Sequence, residues 1–305
     1  MTGRLFCFGF GYTARVLARR LRTNGWVVAG TSREPGNLSA SQGTGCSITR
    51  FDRHHPLPAE VLDEVTHVLV SVPPDAAGDP VLYAHSEDIS ALRSLRWLGY
   101  LSTTGVYGDR GGGWVDETSL LSPSGERGRR RAATEAGWLE LWRRHGVPIH
   151  IFRLAGIYGP GRSVFDALRA GSAKRIDKPG QVFSRIHVDD LASVLIASMA
   201  RPRPGAVYNV CDDNPSPPEE LVAHAAALLG MPAPSLVPLD AAGLSPMARS
   251  FYEDNKRVSN RLIKTELGVQ LRYPDYRVGL AAILADEACP ETRHPAWSPE
   301  RNRPG

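Results

Sequence analysis

The passage richest in chemistry opens the chain. Gly9-Phe10-Gly11-Tyr12-Thr13-Ala14 spells GxGxxA, a spacing that suits close approach of backbone to phosphate. Gly9 permits a tight turn, Gly11 removes the side chain that would hold off a pyrophosphate, and Ala14 lets a helix pack closely on a strand. A helix beginning there turns free N–H groups and its positive end toward an anion. Further on stands Thr31-Ser32-Arg33, where an NAD-type site places an acid for the ribose 2′-hydroxyl. Two hydroxyls and a guanidinium suit a 2′-phosphate instead, because arginine offers a planar fork of donors. Glu34 lies beyond the expected place of that acid. NADP(H) is therefore the preferred cofactor and NAD(H) the less favoured one; the alternative is that Arg33 is a solvated loop residue.

The elements that must position these residues alternate. Leu5-Phe6-Cys7-Phe8 reads as a buried parallel strand, a helix follows the glycines, Gly25 suits its end, and Trp26 to Gly30 reads as the second strand. A third strand, Ser47 to Phe51, ends at Asp52, which would meet the adenine edge. His67 to Val72 is a fourth, stopped by Pro73-Pro74. A helix is expected over Pro80–Leu95, a strand over Trp97–Ser102, a long helix over Arg127–His145 and a strand over Ile149–Leu154. Such alternation predicts an α/β, doubly wound parallel sheet of the Rossmann kind. Ser71, Val72, Pro73, Ser102 and Ala155 complete the candidate cofactor-binding residues. Past Leu154 the rhythm breaks: Asp189 and Asp190 begin a helix, Ala206–Val210 reads as a strand, and Ser216 is expected to cap another helix that ends before Gly230.

This predicts a nucleotide domain over 1–154 plus about 182–212 and a smaller C-terminal substrate subdomain from 155–181 plus 213–289. The tail, 290–305, carries four prolines and reads as mobile. The chain has 305 residues and is 42% hydrophobic, enough for a sizeable core. Net charge is +4, but 32 of the 36 cations are Arg against 32 acids, so the excess is thin and no nucleic-acid partner is expected. No apolar run approaches the roughly 20 residues of a membrane helix. Cys7, Cys46, Cys211 and Cys289 are far apart and lack metal-ligand spacing, which reads as reduced thiols in a cytoplasmic protein without a metal site.

Five segments in order resemble the extended short-chain dehydrogenase/reductases of the NAD-dependent epimerase/dehydratase type. They are the glycine turn, Ser102-Thr103-Thr104-Gly105-Val106-Tyr107-Gly108, Arg153-Leu154-Ala155-Gly156-Ile157-Tyr158-Gly159-Pro160-Gly161, Ile186-His187-Val188-Asp189-Asp190-Leu191, and Tyr208-Asn209-Val210. The resemblance implies that Thr103 polarises a substrate oxygen and that a Tyr-x-x-x-Lys pair opens the next helix. Aligned on Pro123 and Gly128, the Tyr position is Arg127 and the Lys position Arg131, as in atypical members that keep the nucleotide fold and lose the active-site pair. The glycine turn departs as well, since the extended enzymes usually carry GxxGxxG.

A guanidinium with a pKa above ~12 cannot shuttle a proton near neutrality. The remaining proton carriers are Tyr107, Tyr158 and His187, each with a plainer role in packing or in orienting a loop. Arg127 and Arg131, four apart on one helical face, read instead as a clamp for a phosphate or carboxylate, whereas Arg129 and Arg130 read as solvated. Gly111-Gly112-Gly113 is either a mobile lid or a flexible turn. The expected function is an NADP(H)-binding oxidoreductase or epimerase-like protein acting on a small polar or anionic molecule. The alternative is a non-catalytic NADP(H) sensor or scaffold. The protein is expected to be a monomer or a homodimer; the resemblance implies pairing through the helix that contains Trp138, Leu139 and Trp142.

Overall fold

Short apolar runs become parallel strands buried on both faces. The computed structural model describes residues 2–34 and 45–288; the proline-rich tail and Cys289 lie outside them. Seven strands build one sheet: β1 (Arg4–Phe8), β2 (Val27–Ser32), β3 (Ser47–Arg50), β4 (His67–Val70), β5 (Trp97–Thr103), β6 (Ile149–Leu154) and β7 (Val207–Val210). Their spatial order is β7-β6-β5-β4-β1-β2-β3, and every neighbouring pair is parallel. The fold is therefore the expected α/β doubly wound sheet.

Side-chain alternation divides the interior. Leu5 and Cys7 of β1 point into one core with Leu69 of β4, while Phe6 and Phe8 enter the opposite core with Val68 and Val70. The first core is covered by α1 (Tyr12–Arg22) and by the Val188–Ala200 helix, through Leu17, Leu21, Leu191 and Leu195. The second is covered by α2 (Pro80–Ala91) and α3 (Glu126–His145), through Val81, Ile89 and Trp138. Trp138 is fully buried, and the Trp142 ring packs so closely on Gly205 that a Cβ there would lie 2.5 Å from it. The apolar residues offered for a subunit contact are thus used inside the chain.

The remaining helices are α4 (Val164–Arg169), α5 (Val188–Ala200), α6 (Pro218–Leu228), α7 (Pro246–Ser250), α8 (Arg261–Thr265) and α9 (Tyr276–Ala288), and a smaller core forms from α4, α6 and α9. Phe165 and Leu168 of α4 meet Val222 and Ala225 of α6 and Tyr276, Leu280 and Ile283 of α9. Ile263 of α8, with Leu267 and Val269, returns to the main core beside Tyr208, so the C-terminal stretch is shared between the two. Ser216 does not cap α6: its N-cap is Pro217, and the Ser216 hydroxyl accepts a hydrogen bond from Arg185 Nη1 at 2.7 Å. A buried guanidinium has taken the serine that the helix would otherwise use. Among the described residues no helix is long and apolar enough to cross a membrane.

The Gly111–Gly113 turn is anchored. Arg110 and Gly112 donate their N–H groups to the Asn255 carbonyl at 3.0 and 2.9 Å, and Asn255 donates its own to Asp109 Oδ1 at 2.8 Å. The Asn255 side chain reaches further, donating to Gly180 O and accepting from the Val182 N–H.

Candidate functional site

The sheet order reverses beside β1, where the loops after β1 and β4 part; a crevice at such a point is where these sheets take nucleotides. Phe8 pairs with Val70, which brings Gly9 against Ser71. Gly9 has φ +89°, and a Cβ there would lie 2.7 Å from Ser71 Oγ. Two hydroxyls fix the turn. Thr31 Oγ1 accepts the Gly9 N–H at 2.9 Å, and Ser71 Oγ donates to the Gly9 carbonyl at 2.6 Å. Phe10 donates its N–H to the Thr31 carbonyl and buries its ring in the core, with Ala14 beside it and Thr13 also buried. Thr31, read as a phosphate contact, is buried and holds the turn instead.

Gly11 behaves differently. It is exposed, and nothing lies within 4 Å of the position a Cβ would take. The helix it caps has no side-chain cap and no acid in its first turn. An open glycine before an uncapped helix N-terminus fits the phosphates of a dinucleotide. Tyr12 joins this turn to the segment after β6, donating its hydroxyl to the Pro160 carbonyl at 3.0 Å, with the Arg162 guanidinium 5.6 Å from its ring centre.

At the end of β2, Ser32 Oγ accepts the Glu34 N–H, and Arg33 is exposed and makes no ion pair among the described residues. Asp52 lies past β3 in a turn of its own. Its carboxylate accepts from the His54 N–H and His55 Nδ1, and those bonds hold it at about pKa 2. Val72 is half-buried and Pro73 exposed.

The end of β5 separates three neighbours. Ser102 is buried and donates to Glu135 Oε1 at 2.5 Å, so it faces the interior rather than a ligand. Thr103 Oγ1 accepts the Gly105 N–H at 3.1 Å, and among the described residues its own O–H has no acceptor. Tyr107 is fully buried; its hydroxyl donates to Asn209 Oδ1 at 2.7 Å and accepts from Arg153 Nη1 at 2.9 Å. Burial pushes that phenol up to about 12, which together with its enclosure removes it as a proton carrier. Ala155 is buried beside it, its N–H given to Val210 O.

Helix α3 docks on the turn after Thr103 because Gly128 lets it approach: a Cβ there would lie 2.8 Å from the Gly105 carbonyl. Arg131 then points back to β5, where Nη1 donates to the Leu101 carbonyl at 2.6 Å and to the Tyr100 hydroxyl at 3.1 Å. Arg127 is exposed and turns the other way, its guanidinium 5.7 Å from the Phe251 ring centre. The two are not a pair of jaws in this structure. Arg129 and Arg130 bind Glu126 on the solvated side.

Tyr158 donates its hydroxyl to the Asp275 carbonyl at 3.3 Å, and burial raises its pKa. His187 caps α5 by accepting the Asp189 N–H at Nδ1, and burial lowers it to about 4. It is a neutral capping residue. Sequence reading missed the buried Glu135–Arg153 pair and the Tyr100 hydroxyl beside Arg131. Glu135 carried a signal, standing four residues after Arg131 on one helical face. Among the described residues no cluster of three or more His, Cys, Asp or Glu could hold a metal ion.

Comparison with known proteins agrees with this geometry. The profile of the NAD dependent epimerase/dehydratase family matches residues 9–211. Over 283 residues, 88% of this chain and 95% of the other, the sequence is 27% identical to Protein YeeZ of Escherichia coli (strain K12). The structure of a functionally unknown conserved protein from Silicibacter pomeroyi DSS is 55% identical, with a TM-score of 0.87 over 93% of this chain and 99% of that one. UDP-glucuronic acid 4-epimerase from Bacillus cereus, in complex with NAD, has a TM-score of 0.74 at 15% identity, covering 92% of this chain and 96% of that one. That last likeness is one of fold.

Proposed function

Because the chain belongs to the NAD dependent epimerase/dehydratase family, we propose that it is an NADP(H)-dependent oxidoreductase or epimerase-type enzyme acting on a small polar or anionic molecule. The observation that carries the reading is the open position at Gly11 before the uncapped start of α1. Backbone N–H groups of that turn hold the pyrophosphate, and Gly9, Thr31 and Ser71 keep it in shape. The exposed Arg33 guanidinium, with Ser32, takes the 2′-phosphate. When bound, the nicotinamide supplies hydride exchange with a substrate carbon.

The chain's own residues orient the substrate and stabilise charge. Thr103 donates its O–H to the substrate oxygen, since its acceptor side is already taken by Gly105. Arg131, fixed on the end of β5, supplies positive charge where oxyanion character develops. Neither Arg131 nor Arg127 moves a proton. With Tyr107 enclosed and His187 neutral as a cap, water in the open site supplies the proton.

Two measurements test this reading. Calorimetric titration of NADPH and NADH into the wild type and Arg33→Ala should give at least tenfold tighter binding of NADPH, a gap of about 1.4 kcal/mol, which closes in the variant. Incubation with 4-deuterated NADPH and metabolite extracts should label a product. Tight NADPH binding without label in any extract replaces the enzyme by the sensor reading.

A further inference from the structure

Arg185 is a buried cation that makes no ion pair with a carboxylate among the described residues. It lies in the short strand Arg185–His187, which pairs with Gly156–Tyr158 just past β6. Only 8% of it is exposed. Nη1 donates to the Phe183 carbonyl at 3.0 Å and to Ser216 Oγ at 2.7 Å. Among the described residues Nε and Nη2 have no protein acceptor, and no ion pair engages the guanidinium. Burying a charge costs several kcal/mol unless a counter-charge meets it, so a lone internal guanidinium asks for an explanation.

The surroundings supply one. Arg185 lines a crevice of about 460 Å³ that begins at Gly156, one residue beyond Ala155. Ile157, Val164, Leu221 and Leu280 give this crevice an apolar wall, Arg162 stands at its rim, and Asp166 also faces it. A buried acid whose charge acts on Arg185 is Asp212, whose Oδ2 has no partner among the described residues. Burial raises the Asp212 carboxyl to about 8, which weakens it as a counter-charge for the guanidinium. The Arg185 guanidinium also lies 5.7 Å from the ring centre of Tyr276, which fixes its plane from the other side. One inward cation and an apolar wall, with the exposed Arg162 and Asp166 offsetting each other, suit a single negative charge on an apolar body better than a diphosphate.

We propose that this crevice is the substrate subsite for a monocarboxylic acid with an apolar body, its carboxylate held by Nε and Nη2 of Arg185 and its body against Ile157, Val164, Leu221 and Leu280. The proposal rests on the reading of a small substrate taken beside the nucleotide, and it names that substrate's class.

The test is calorimetric, on the full chain with NADPH present. The probes are cinnamate, 3-phenylpropionate, indole-3-acetate and octanoate, each against its uncharged alcohol, with inorganic phosphate and diphosphate as further arms. At least one acid should bind ten or more times tighter than its alcohol. Arg185→Lys should weaken that acid at least tenfold, and Arg185→Met should abolish the preference over the alcohol. Val164→Phe fills the crevice from its half-buried wall with Arg185 intact, and should exclude both probes. NADPH affinity should stay within twofold in Val164→Phe and Arg185→Lys, which separates this subsite from the nucleotide reading. The proposal is overturned if no acid outbinds its alcohol, if diphosphate binds tighter than every acid, or if Val164→Phe binds the best acid as the wild type does. Loss of NADPH binding by the wild type with acid binding retained would instead sink the nucleotide reading alone.

Discussion

Arg153 on β6 and Glu135 on α3 meet at 2.8 Å inside the protein, and Arg153 carries the contact on to the Tyr107 hydroxyl. Their side chains are only 6% and 2% exposed. The pair ties the helix that bears Arg127 and Arg131 to the strand that leads into the Gly156 crevice. Its worth is asymmetric, since removing one member leaves the other's charge buried.

Glu135→Ala is therefore expected to lower stability by about 3–5 kcal/mol, read from urea unfolding midpoints at a constant slope. Arg153→Met with Glu135→Gln should cost clearly less than either single change. A loss below about 1 kcal/mol for Glu135→Ala would mean that water already reaches Arg153.

Tyr107→Phe separates a packing role from a proton-carrying one. It deletes the donor to Asn209 and the acceptor for Arg153, a change expected to cost about 1–3 kcal/mol of stability. Deuterium transfer from NADPH by the folded variant should remain within a few-fold of wild type. A thousandfold loss would return Tyr107 to the reaction.

The glycines predict opposite results. Gly11→Ala should leave the melting temperature nearly unchanged, because its φ is −88° and its Cβ enters open space. NADPH affinity should fall at least tenfold. Gly108→Ala should destabilise strongly instead. Its φ is +70°, and a Cβ would come within 1.8 Å of the Ser122 carbonyl oxygen.

Stability should fall on both sides of an intermediate pH. Burial holds His150 and His187 at about 4, so as pH drops from 6.5 toward 4 the unfolded chain binds protons the folded one refuses. The Asp212 carboxyl, raised to about 8, acts in the reverse sense. Between about pH 4 and 8 the folded chain keeps a proton that the unfolded chain releases, and stability falls as pH rises. Each such group contributes at most about 1.4 kcal/mol per pH unit within its window. Asp212→Asn should flatten the decline between pH 6.5 and 8 in chemical denaturation, and an unchanged slope would show Asp212 ionised inside the fold.

Most of the sheet was legible because buried parallel strands write themselves as apolar runs. Ile149–Leu154 matches to the residue, and Trp97–Ser102 gains only Thr103. Strand and helix ends moved where local bonds intervened: α2 stops at Ala91 rather than Leu95, and β4 stops at Val70 rather than Val72. The glycine turn was legible because its backbone demands are local. The partners of Thr31, Ser102 and Tyr107 were not, because each hydroxyl bonds to a residue 22 to 102 positions away. Arg185 was missed for the same reason. Only the fold reveals that its charge faces inward without an acid.

The strand order also dictates how the sheet is completed. β1 is central, β2 and β3 extend one side of it, and β4 to β7 are added one after another on the other. During synthesis, β2 and β3 extend one side of β1 first, β4 to β7 then build out the other, and residues 207–210 complete the series. Until then β6 presents a bare edge of unpaired N–H and C=O groups. Every pairing is parallel and needs a long crossover, so no local hairpin shortens the search. Folding should accordingly be slow, and a chain truncated before Val207 should aggregate through its open β6 edge.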